Sequence, residues 1–103
     1  MPLETARRYT FRYGGIVANA PRGSGVYALY RGEELYSVDE ADSIYIALLD
    51  QWNQKNDVIN VNIPTSFAFE MCAPERRNSR LAQLVFRCRP TYTAHQQLKA
   101  RER

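Results

Sequence analysis

Gly25-Val26-Tyr27-Ala28-Leu29-Tyr30, the turn Arg31-Gly32-Glu33-Glu34 and a second run, Leu35-Tyr36-Ser37-Val38, together decide the fold. Tyrosine and valine favour the pleated, half-buried surface of a strand, and Gly32 supplies the conformational freedom a tight turn needs. The stretch therefore predicts a β-hairpin over Val26 to Tyr30 and Glu34 to Val38.

Downstream of the hairpin, Asp39 to Gln54 carries the strongest helical pattern. Ala41, Ile44, Tyr45, Leu48, Leu49 and Trp52 fall on one stripe, and Asp39 and Glu40 are expected in its first turn, where negative charge suits the dipole. Ile59, Val61 and Ile63 alternate with asparagines and predict a weak edge strand ending at Pro64. Phe67, Phe69 and Met71 alternate with Ala68, Glu70 and Cys72, which predicts a further strand. Pro74-Glu75 then opens a second helix with the stripe Arg77, Leu81, Leu84, Val85 and Cys88, and Pro90 bars its continuation. Upstream, Thr10 to Tyr13 is expected as a short strand broken at Gly14-Gly15, with Ile16-Val17-Ala18 continuing it. Asn19 to Ser24 is loop by composition. Hairpin, helix, strand and helix in that order predict an α/β fold of the α+β kind, a small and mostly antiparallel sheet of three to five strands flanked by helices.

One domain, residues 1–103, is all that 103 residues with 45% apolar content can build around one core. No run of about 18 apolar residues exists, so no membrane span is expected. The stretch Met1 to Arg12 is polar and charged and lacks the apolar run a secretory signal needs, so none is expected in it. Cys72 and Cys88 are too few and too far apart for a zinc cluster or disulfide framework, and they read as reduced thiols in a cytoplasmic protein. Net charge is +3, but its distribution is segmented. Residues 1–32 carry +4, residues 33–75 carry −8 and residues 76–103 carry +7, with a polar, basic tail over 94–103. Twelve of the fourteen basic residues are arginine, the type suited to forked contacts with phosphate or carboxylate. The basic ends either attract nucleic acid or pair with the acidic middle across the fold.

Over residues 21–93 the chain resembles the GIY-YIG endonuclease domain. Gly25-Val26-Tyr27 matches the first motif with valine for isoleucine. Tyr36 keeps the tyrosine of the second, where Ser37 and Val38 replace its last two residues. The resemblance implies cleavage of phosphodiesters with one divalent metal, Mg²⁺ or Mn²⁺, held by a single glutamate, with tyrosine helping to activate water and an arginine steadying phosphate charge. At those positions stand Leu81 for the glutamate and Ile46 or Ala47 for the arginine, and Thr93 replaces a frequent asparagine. Leucine offers a hard cation no ligand. A phenol with a pKa near 10 is a poor base at neutral pH without a nearby cation.

Tyr27 and Tyr36 are thus the catalytic positions retained, expected to be inactive and equally readable as strand tyrosines packing the sheet. Arg76, Arg77 and Arg80 are candidate nucleic-acid anchors, with Arg76 and Arg80 on one helical face, or else members of a face paired with nearby acids. Glu70 and Glu75 are the carboxylates through which a relocated metal site would have to work. His95 reads as a solvated tail residue, and no serine has a histidine partner for a nucleophilic triad. The expectation is a catalytically silent module that binds a protein or nucleic acid, with no cofactor and no membrane, and with homo-oligomerisation open. The alternative is an active metal-dependent endonuclease.

Overall fold

A computed structural model of the chain describes residues 2–57 and 64–88. Four strands, β1 (Tyr9–Thr10), β2 (Gly25–Arg31), β3 (Glu34–Ala41) and β4 (Ser66–Met71), form one sheet in the order β1-β4-β2-β3. All neighbouring pairs are antiparallel. Three helices, α1 (Tyr13–Asn19), α2 (Ile44–Asp57) and α3 (Pro74–Cys88), and a 3-10 turn at Leu3–Thr5 complete an α+β fold. Among the described residues no helix is long and apolar enough to cross a membrane.

The central strand explains the layering. Every residue from Gly25 to Tyr30 is buried, because β2 has a strand on each side and helices on both faces. Val26, Ala28 and Tyr30 pack with Leu3, Val38, Ala68, Leu81 and Leu84 under α3. Tyr27 and Leu29 pack with Phe11, Ile16, Ile44, Leu48 and Phe67 under α1 and α2. Successive side chains of a strand point to opposite faces, so adjacent letters of GVYALY serve different cores.

The hairpin forms as expected and is longer. Tyr27 faces Asp39, Val26 faces Glu40 and Gly25 faces Ala41, so Asp39 and Glu40 belong to β3 and not to the first turn of α2. The helix starts later, at a serine cap: Ser43 Oγ accepts from the Ile46 amide at 3.3 Å and Ser43 O from the Ala47 amide at 3.0 Å. Loop carbonyls of Gly23 and Pro21 accept from the Ile44 and Tyr45 amides, satisfying first-turn donors that the acids were expected to serve. The expected stripe holds from Ile44 onward, with Ile44 and Leu48 fully buried and Tyr45, Leu49 and Trp52 packed beside them. Ala41, expected as its first member, instead ends β3 opposite Gly25.

Register shifts once in the hairpin, between Leu29↔Ser37 and Tyr30↔Leu35, leaving Tyr36 as the extra residue of a β-bulge. At the hairpin tip Gly32 adopts φ +62°, the left-handed conformation that favours glycine.

The expected strand at Ile16-Val17-Ala18 is a correction: these residues lie in α1, and only Tyr9–Thr10 is strand. Glycine disfavours helix, but Ile16 is completely buried against the α2 side of the core. A Cβ on Gly15 would overlap the Thr10 carbonyl oxygen, so the glycine is what lets α1 turn so closely on β1. β4 and α3 match expectation, α3 from Pro74 to Cys88. The strand expected at Ile59, Val61 and Ile63, the stop at Pro90, Thr93, His95 and the tail lie outside the described residues.

Candidate functional site

Tyr27 sits in the middle of β2, between Asp39 on β3 and Phe69 on β4. It is 3% exposed. Its hydroxyl faces the Gln51 side chain of α2, and burial, with the Asp39 carboxylate adding, pushes its ionisation well above the ordinary tyrosine range. The phenol stays protonated and shielded from water. Tyr36, on the bulge, is half-buried in the same aromatic cluster, with the Arg31 guanidinium 5.5 Å from its ring centre. The two tyrosines share the α1/α2 face.

Leu81 does not join them. It is buried against Val26, Ala28 and Tyr30 on the α3 face, so the sheet itself separates it from Tyr27. Ile46 is exposed on α2 and Ala47 packs on the aromatic cluster; neither offers a cation.

The arginines expected to hold phosphate diverge in their surroundings. Arg80 Nε donates to Glu70 Oε2 at 2.9 Å and Nη2 to Oε1 at 2.8 Å, a forked pair with both side chains 16% exposed. Glu70 Oε1 also accepts from the Leu3 amide at 2.8 Å, tying the chain's first turn to β4. Arg80 Nη1 reaches Gln83 Oε1 at 3.2 Å. Arg77 Nη1 donates to Asp42 Oδ1 at 2.6 Å, and its Nε lies 3.4 Å from Glu40 Oε1 without a hydrogen bond. Arg76 is exposed on α3 and lines a shallow depression with Ser79, Arg80 and Gln83. Arg8 meets Glu33 at 3.6 Å and Arg31 meets Glu34 at 2.8 Å. The segmented charge of the sequence is therefore, in good part, pairing between its zones.

Of the two carboxylates singled out for a relocated metal, Glu70 is engaged by Arg80 and Leu3, and Glu75 is exposed in the first turn of α3. Neither is beside Tyr27. The acids that are, Asp39 and Asp50, escaped sequence reasoning because Asp39 was expected in a helix. The signal that could have found it was Ser43, a cap-forming residue that fits a helix starting at Ile44, which leaves Asp39 to the hairpin. Among the described residues no three His, Cys, Asp or Glu side chains gather in a way that could hold a metal ion. The side chains at the positions implied by the resemblance do not fit Mg²⁺.

Cys72 and Cys88 are free thiols packed at the margin of the α3 core, and burial with the Glu70 carboxylate holds the Cys72 thiol above its ordinary range. No protein-family model, no curated protein and no solved structure matches this chain.

Proposed function

We propose that this chain is a catalytically silent GIY-YIG-like domain of the cytoplasm that serves as a binding or regulatory module, with a protein as its partner. One observation carries the reading: the Tyr27 hydroxyl is buried under α2 beside Gln51, with the sheet between it and the α3 arginines. A phosphodiester cannot reach both. The protein partner is favoured over nucleic acid because Arg77 and Arg80 already neutralise Glu40, Asp42 and Glu70. A groove that tracks a phosphate backbone needs cationic groups able to replace its counterions.

Purified protein with Mg²⁺ or Mn²⁺ should leave branched, single-stranded and duplex DNA uncut, and low-salt gel shifts with the same DNAs should show no complex. Metal-dependent nicking lost in Tyr27→Phe would overturn the silent reading. A shifted band lost in Arg76→Gln would transfer the partner to nucleic acid.

The metal-dependent endonuclease is the second reading, and a specific feature favours a form of it: Asp39 lies directly across the hairpin from Tyr27. In that form Asp39→Asn abolishes cutting and Glu75→Gln does not.

A further inference from the structure

Among the described residues the arginines divide sharply. Arg7, Arg8 and Arg22 lie over the rings of Tyr9, Tyr30 and Tyr45. Arg8, Arg31, Arg77 and Arg80 meet carboxylates. Arg87 is also engaged. Arg12 and Arg76 alone keep guanidinium groups with no side-chain partner in the described structure. Arg76 stands on an open helix surface. Arg12 stands at a cavity.

That cavity, of about 340 Å³, opens between β1, the residues before β4 and α2, and is lined by Thr10, Phe11, Arg12, Trp52, Pro64 and Thr65. Its volume is at the small end of ligand clefts, roughly 300–1,000 Å³. Its walls are fixed by the fold. Phe11 is 2% exposed, and Trp52 meets it edge-on with ring centres 5.7 Å apart at 86°. The Phe11 amide donates to the Thr65 carbonyl at 3.0 Å, and the Thr65 hydroxyl is held by the Tyr30 carbonyl and the Gly32 amide. Pro64 is fully buried. Trp52 is half-buried and keeps part of its surface open, and an aromatic surface suits a flat ring, which stacks on it at little conformational cost. Among the described residues that line it there is no carboxylate, and Arg12 supplies a forked donor for an anion.

We propose that this cavity binds a small planar aromatic molecule carrying one anionic group, a carboxylate or a phosphate, with the ring against Trp52 and the anion on Arg12. The site does not rest on the binding role proposed above.

Trp52 is the chain's single tryptophan, so its fluorescence reports binding at this cavity alone. The experiment titrates full-length protein with phenylacetate against phenylacetamide and with AMP against adenosine, at low and high salt. A saturable change with at least one anion, about tenfold tighter than with its neutral partner and weakened by salt, supports the site; which anion binds assigns carboxylate or phosphate. Arg12→Gln should bring that anion to the affinity of its neutral partner, while Arg76→Gln changes nothing. The proposal fails if neither anion gives a saturable change, if charged and neutral partners bind alike, or if Arg12→Gln binds the anion undiminished.

Discussion

The two faces of the sheet are built from the same strand and hold together differently. Under α1 and α2 the layer is largely aromatic: Phe11, Phe67 and Tyr27 are buried, Tyr9 stacks on Phe69, and Trp52 closes one end. Its central polar group, the Tyr27 hydroxyl, faces the neutral amide of Gln51. Under α3 the layer is mostly aliphatic and rimmed by ion pairs, Arg80 with Glu70 and Arg77 with Glu40 and Asp42. Shape holds the first face, and the second adds charge. The residues that the family resemblance would gather at one site are thus distributed across two environments.

The largest effect should come from each layer's centre. Phe67→Ala and Leu84→Ala, both fully buried, should each cost about 3–5 kcal/mol in urea unfolding. If one of them costs under about 1 kcal/mol, that face is not a true core and the two-layer picture breaks.

Charge is probed next. Glu70→Ala strips Arg80 of its forked partner and Leu3 of its acceptor, at about 1–3 kcal/mol for a pair that is mostly but not wholly buried. Glu75→Ala, on the exposed helix start, should stay within about 0.5 kcal/mol. Equal losses would mean that the α3 face does not depend on its ion pairs.

The smallest effect is confined to alkaline pH. Folding raises the ionisation of Tyr27 above its unfolded value near 10, so its contribution is fully present below that value. As pH climbs past 10 the unfolded chain sheds this proton first, and stability falls at up to about 1.4 kcal/mol per pH unit. Tyr27→Phe should show a shallower decline over the same range. Matching slopes, read by urea midpoints at pH 10 and above, would place the phenol in water.

Much of this was legible in the sequence. β4 and α3 announced themselves by period, since Phe67 and Phe69 alternate and Leu81 and Leu84 recur at helical spacing. The stripe of α2 was legible from Ile44 to Trp52 but not its start: Asp39 and Glu40 suit a helix N-terminus, yet cross-strand pairing with Tyr27, Val26 and Gly25 kept Asp39, Glu40 and Ala41 in β3. α1 was hidden by Gly14-Gly15, whose local preference lost to the burial of Ile16. What could not be read was the face of each site residue. GVYALY is apolar at every position because both sides of β2 are covered, and a run without alternation carries no information about which side a tyrosine takes. Asp39 was lost as a neighbour of Tyr27 for the same reason that β3 was drawn too short.

The bulge at Tyr36 makes the hairpin lopsided, eight residues on β3 against seven on β2. In an even-armed hairpin that ring would oppose Tyr30 and project toward α3. One surplus link in the chain carries it to the other side, where Tyr27 already lies. The company of the two phenols is thus a matter of parity: losing a single residue between the turn and position 36 would part them without altering either side chain.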